Sequence, residues 1–203
     1  MLRFFMSISL FCACMLSAQT YSWTNNDSAE TIHSRFATPE GFQRMPAQSG
    51  GFAHWLQHLP LKPGKPEVML YNGLRKGNQR AHVAVIDIDI GKKDLQQCAD
   101  AVMRLRAEYL YSTRQFSAIH FNYTSGDEIA FLRWSNGSRP VVNGNAVRWR
   151  GGGTEGKGYA NFRRYLDSVF TYAGTDSLLR EMKAVAKPRD VQIGEEVIQG
   201  GFP

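Results

Sequence analysis

A chain of 203 residues with 43% hydrophobic and 21% charged content carries enough apolar mass for one packed core, which excludes a disordered or low-complexity protein. Its formal net charge is +6, from 24 Lys and Arg against 18 Asp and Glu. That moderate excess, without a long Lys/Arg run, argues against a nucleic-acid binder and suits peptidoglycan or another anionic envelope polymer as partner.

The first eighteen residues read as a cleavable secretory signal. Arg3 supplies the positive start, Phe4 to Leu16 the apolar stretch, and Ser17 and Ala18 the small residues ahead of Gln19. The stretch falls short of the roughly 20 residues of a membrane span, and no later segment reaches that length. Cys14 would be the lipidated residue of a lipoprotein, but Phe11-Cys12-Ala13 departs from the usual Leu-small-small approach. A protein free in the periplasm or outside the cell is therefore expected. Cleavage removes Cys12 and Cys14 and leaves Cys98 without a partner. It is then a buried apolar residue, an intermolecular linker or a reactive thiol.

Residues 19–34 read as a polar leader arm and 35–203 as a single domain. Pro39 and Gly41 mark a turn. Phe52, Trp55, Leu56 and Leu59 share one face of a short helix over 51–59, stopped by Pro60 and Pro63. A short strand over 68–71 leads to an Asn72-Gly73 turn. Residues 82–90 give the strongest strand signal, because Ala84, Ile86, Ile88 and Ile90 alternate with Val83, Val85, Asp87 and Asp89. The clearest helix follows, with Asp94 as cap, Gln97 completing a capping box, and Leu95, Cys98, Val102, Leu105 and Tyr109 as its apolar stripe. Strands are predicted over 116–123 and 129–134, about a Ser125-Gly126-Asp127 turn. After a glycine-rich segment over 151–158, helices are predicted over 159–172 and 177–185, with the start of a strand at 191–199.

Cys98 has two readings. With Asp94 as cap it is the fourth helical residue, where the helix dipole can favour a thiolate. It also lies on the apolar stripe, where a free cysteine behaves as a small buried hydrophobe. His120 is the internal candidate for a base or orienting group, with His82 next. His54 and His58 are four apart, but they lack the neighbouring Glu of zinc proteases and a third ligand, so no metal site is expected. Gly151 with Gly156-Lys157 mimics a phosphate loop, yet Gly158 stands where the magnesium-binding hydroxyl belongs. A flexible loop is the reading, and no cofactor is expected. Arg148 and Arg150, beside Trp149, offer a grip for an anionic or carboxylate substrate. Asp87 and Asp89 read as a polar patch at a strand end.

The block from Asp94 through Cys98 to Tyr109, the run Trp149-Arg150-Gly151-Gly152-Gly153 and the closing Ile198-Gln199-Gly200-Gly201 resemble an uncharacterised family of exported bacterial proteins. In longer members the closing run continues into Gly-His and an apolar strand, so the chain is expected to be a truncated version of a longer one. The completed pattern is in turn similar to NlpC-type papain-like hydrolases of cell-wall peptides. That similarity implies Cys98 as nucleophile, opening a helix, and a histidine beyond Pro203 as base, so a truncated chain would be inactive.

The expected fold is therefore α+β, a central and mostly antiparallel sheet with the Cys98 helix packed on it. The expected function is a papain-like cysteine amidase or peptidase of the cell envelope. The alternative is a non-catalytic binding module with a structural Cys98 and Arg148, Trp149 and Arg150 as its contact surface.

Overall fold

The amphipathic periods of the sequence become short elements wrapped round one aromatic core. The structure, a computed structural model, describes residues 21–24 and 30–200. The secretory signal with Cys14, part of the leader arm and the final Gly201-Phe202-Pro203 lie outside the described residues. In chain order the helices are α1 (Ile32–Arg35), α2 (Phe52–Gln57), α3 (Cys98–Ser112), α4 (Phe131–Ser135), α5 (Tyr159–Tyr172) and α6 (Thr175–Glu181). Two antiparallel hairpins, β1–β2 (His120–Asn122 with Glu128–Ala130) and β3–β4 (Arg139–Asn143 with Ala146–Arg150), supply the strands. The class is α+β as expected, with the antiparallel pairing divided between two separate sheets. No helix among the described residues is long and apolar enough to cross a membrane.

Helix α5 follows its sequence signal over 159–172 because its apolar residues recur at helical spacing. It buries Phe162, Tyr165, Leu166, Val169 and Phe170 against Met103 and Ala107 of α3, Ile129 of β2 and Phe131 and Trp134 of α4. Within this core the Tyr165 hydroxyl donates to the Ile129 carbonyl at 2.7 Å, so its burial leaves no polar atom stranded. The first hairpin holds Phe121 opposite Ile129, and its turn is closed by Gly126 in a left-handed conformation at φ +94°. The predicted strand over 129–134 ends early: Phe131 to Ser135 coil into α4, which places both Phe131 and Trp134 in the core.

Four expectations are corrected. Helix α3 begins at Cys98, with Gln97 as N-cap and its N–H held by the Asp100 carboxylate, three residues later than a cap at Asp94 implies. Its buried face is also rotated. Ala99, Asp100, Met103, Arg104, Ala107, Glu108 and Leu110 are inside, while Val102, Leu105 and Tyr109 are half-buried and Cys98 is exposed. The 82–90 segment forms no ladder. Its pairing is a single bridge, Leu61 with Ile86, flanked by backbone bonds from Lys62 to Val85 and from Asp87 to Pro60. Alternation prepares a strand, but the run that bridges to it is short and bounded by Pro60 and Pro63, and proline brings no N–H. Residues 191–199 likewise form no strand.

The glycine-rich segment is pinned rather than loose. Gly153 N–H donates to Gly137 at 2.9 Å and Gly156 N–H to Ser135 at 2.8 Å, and the Asn161 side chain donates to the carbonyls of Thr154 and Gly156. Gly153 is needed for space: a Cβ there would lie 2.5 Å from the Arg139 guanidinium carbon. That guanidinium stacks on Trp134 at 4.0 Å and donates to the carbonyls of Trp134 and Thr154, which ties the loop to α4.

Tyr21 and Trp23 anchor the arm on α2. The Tyr21 hydroxyl donates to the Trp55 carbonyl at 3.1 Å, Trp23 Nε1 donates to the Asp87 carbonyl at 2.7 Å, and both rings pack on Trp55. Beside them three imidazoles stack, His54 on His58 at 4.2 Å and His58 on His33 at 5.1 Å. Among the described residues no group of three His, Cys, Asp or Glu side chains can hold a metal. Burial, then the charges of His58 and His33, hold the His54 pKa below its ordinary 6.5. The folded protein therefore keeps His54 neutral while the unfolded chain takes up a proton. That difference costs stability as pH falls through about 6.5. His54→Gln is expected to lose less stability than the parent between about pH 7 and about pH 5, read from urea midpoints.

Candidate functional site

The start of α3 and the α5–α6 junction enclose a cavity of about 500 Å³. In the first turn of α3 Asp100 Oδ2 accepts from the Gln97 N–H at 3.0 Å. On the far side Gly174 caps α6, its N–H donating to Ser177 Oγ at 3.0 Å. Leu95, Phe170 and Ala173 give the cavity an apolar wall, and Cys98 stands in it as a free, exposed thiol on the first residue of a fifteen-residue helix. Exposure removes the buried-hydrophobe reading of Cys98. Its first-residue position puts it nearer the unpaired N–H groups of the helix end than a fourth-residue position does.

The acidic side chains of the wall are Asp94, Asp100 and Asp176. Burial pushes the Asp100 carboxyl above the ordinary carboxylate range against its backbone hydrogen bonds, and its Oδ1 is buried without a partner. Among the described residues no histidine lines the cavity. His120 stands at the start of β1, about half exposed, with Nδ1 3.8 Å from Glu128 Oε2 on the paired strand. The structure therefore does not bring His120 into the Cys98 cavity. His82 is also occupied elsewhere, its Nε2 2.9 Å from the Pro66 carbonyl.

Arg148, Trp149 and Arg150 fall on β4, where side chains alternate. Arg148 and Arg150 are exposed on one face. Trp149 turns to the other, half-buried against the core with the Arg133 guanidinium 4.3 Å over its ring. The two arginines remain an exposed cationic face, but the indole does not share it.

The largest polar arrangement escaped the sequence reading. Arg104, 1% exposed, donates through Nε to Glu108 Oε1 at 2.7 Å, and Glu108 is itself fully buried. The Tyr159 hydroxyl donates to the same Glu108 oxygen at 2.8 Å, while Arg104 also reaches the Gln96 side-chain oxygen and Asp89. Asp89 in turn lies 3.4 Å from Arg163. Asp89, read from the sequence as part of a polar patch, is thus the counter-charge of two arginines. Burial pushes the Glu108 carboxyl up, with Arg104 and the Tyr159 hydroxyl pulling against it, and burial likewise raises the Tyr159 phenol well above its usual value. The signal available was Arg104 and Glu108 four apart on one helix, a spacing that usually marks a solvated face.

No curated protein matches the chain, and no solved structure matches it. A family described as a domain of unknown function (4846) matches residues 32–203, from the first residue of α1 onward, and the chain belongs to that family.

Proposed function

We propose that this is an exported protein of the cell envelope that uses Cys98 as a nucleophile on the carbonyl of an amide or peptide bond. The observation that carries the reading is the exposed thiol on the first residue of α3, in the wall of a cavity of about 500 Å³. A substrate acyl group would sit against Leu95, Phe170 and Ala173, with its carbonyl oxygen toward the N–H groups of the first α3 turn. The sulfur would bond to the carbonyl carbon, the C–N bond would break, and the amine would leave with the proton given up by the thiol. Water would then release the acid from the thioester. The wall offers carboxylates rather than an imidazole for proton transfer, so this reading departs from the papain-like pairing of thiol and histidine.

A second reading, a non-catalytic binding module, is favoured by the same acidic wall and by the absence of histidine from it. One experiment separates them. If Cys98 is the nucleophile, iodoacetamide alkylates it in the folded protein and cell-wall stem peptides protect it. Cys98→Ser then lowers peptide turnover at least about 10³-fold with an unchanged melting temperature. A thiol alkylated only on unfolding, or full activity in Cys98→Ser, sinks the nucleophile. Loss of polymer binding in Arg148→Ala with Arg150→Ala, in a protein indifferent to Cys98→Ser, establishes the binding module.

A further inference from the structure

Between Lys62 and Val83 no residue is buried, yet the chain there is an ordered hairpin that stands off the core. The Asn72-Gly73 turn closes it. Leu70 N–H donates to the Leu74 carbonyl at 2.7 Å, Leu74 N–H donates to Asn72 Oδ1 at 3.0 Å, and Gly73 takes φ +80°. Met69 bridges to Arg75, and Lys76 N–H donates to the Val68 carbonyl at 2.9 Å. Side chains hold the root. Gln79 accepts from the Val68 N–H at 2.9 Å and donates to the carbonyls of Val68 and Lys76, while His82 Nε2 lies 2.9 Å from the Pro66 carbonyl.

These bonds order the loop without covering its tip. Met69, Leu70, Tyr71 and Leu74 are all exposed, Leu74 at 62%. Apolar side chains scattered over a surface need no explanation, but four within six residues on a pinned turn form a patch that marks an interaction surface. The charge behind the patch is one-sided, with Lys62, Lys65, Arg75, Lys76 and Arg80 against Glu67 alone. Arg75 takes up Glu67 at 2.8 Å, and among the described residues Lys65, Lys76 and Arg80 form no ion pair. An apolar tip with cations along its side and root matches, layer for layer, the acyl boundary and the phosphates of an anionic bilayer. Tyr71, apolar in its ring and polar at its hydroxyl, is a residue type enriched at that boundary.

We propose that the 66–82 hairpin is a membrane-docking loop. Leu70, Tyr71 and Leu74 enter the acyl boundary of a bilayer, while Lys65, Lys76 and Arg80 meet the phosphates of anionic phospholipids. The contact is peripheral, since a turn of this size buries its tip without crossing the bilayer. It stands independently of any chemistry at Cys98.

The test is co-sedimentation of the full chain with vesicles of phosphatidylglycerol and phosphatidylcholine in equal parts, and with vesicles of phosphatidylcholine alone. Half-binding at or below about 1 mM lipid is expected on the mixed vesicles, weaker by at least about tenfold on the neutral ones and at high salt. A chain of net charge +6 adheres to many anionic surfaces, so a variant of unchanged charge decides. Leu70→Ser with Leu74→Ser, both at exposed positions, should weaken binding at least about tenfold with an unchanged melting temperature. Lys65→Ser with Lys76→Ser and Arg80→Ser should do the same on the mixed vesicles. Every variant keeps the parent's N-terminal residues, so the differences read the hairpin alone. Binding to neither vesicle, or binding unchanged in the leucine variant, overturns the docking loop, and equal binding to neutral vesicles overturns the part given to the cations. A leucine variant that loses self-association instead of vesicle binding assigns the tip to a second copy of the chain and overturns the lipid surface.

Discussion

Replacing Glu108 by Leu is expected to lower the unfolding free energy by about 3–5 kcal/mol, the usual cost of stripping one partner from a buried ion pair. Arg104 is 1% exposed and would keep its charge inside the core, and its existing bonds to the Gln96 side-chain oxygen at 3.2 Å and to the exposed Asp89 carboxylate at 3.3 Å do not replace the buried 2.7 Å pairing with Glu108. The Tyr159 hydroxyl would lose its acceptor at the same moment. Urea denaturation of the single variant and of Arg104→Met with Glu108→Leu provides the check. The double variant should recover much of the loss, because it removes both charges and leaves apolar side chains of similar volume. A single variant as stable as the parent would show that solvent reaches Arg104.

Phe162→Ala should cost a comparable amount, about 3–5 kcal/mol, for a different reason. Phe162 is fully buried, stacks on Tyr111 of α3 at 4.3 Å and meets Phe131 of α4 edge-on at 5.4 Å, so it joins three helices. Truncation leaves a void that these rings fill poorly, because the Tyr111 hydroxyl is tied to the Lys157 carbonyl at 2.7 Å. Phe162→Leu keeps most of the volume and should cost less than about 1.5 kcal/mol. Equal losses in the two variants would mean that the ring geometry, rather than the filled volume, holds α3 against α5.

Both predictions concern the α3–α5 contact, and the two sides of it were unequally legible. Helix α5 could be read to the residue because its apolar period is local and Gly158 and Gly174 bracket it. The helix carrying Cys98 was recognisable, as was the hairpin about Gly126, since each depends on residues within a few positions. The position of Cys98 was not, because Asp94–Gln97 and Gln97–Asp100 both have the spacing of a box, and local sequence does not choose between them.

What the sequence by itself determined was the α+β class, the helical tract of α5, a cysteine, Cys98, near a helix start and the cationic pair Arg148 and Arg150. The tertiary structure decided the rest. It turned α3 so that the Arg104–Glu108 pair faces inward, since Tyr159 from α5 and Asp89 from the segment before the helix add the bonds that the pair needs once it leaves water. It left 82–90 without a ladder, because a strand exists only with a partner, and exposed Cys98 because the α5–α6 junction stops short of it. Periodicity reports which face of an element prefers burial. Which charges can join that face depends on counter-charges that only the folded chain brings within reach.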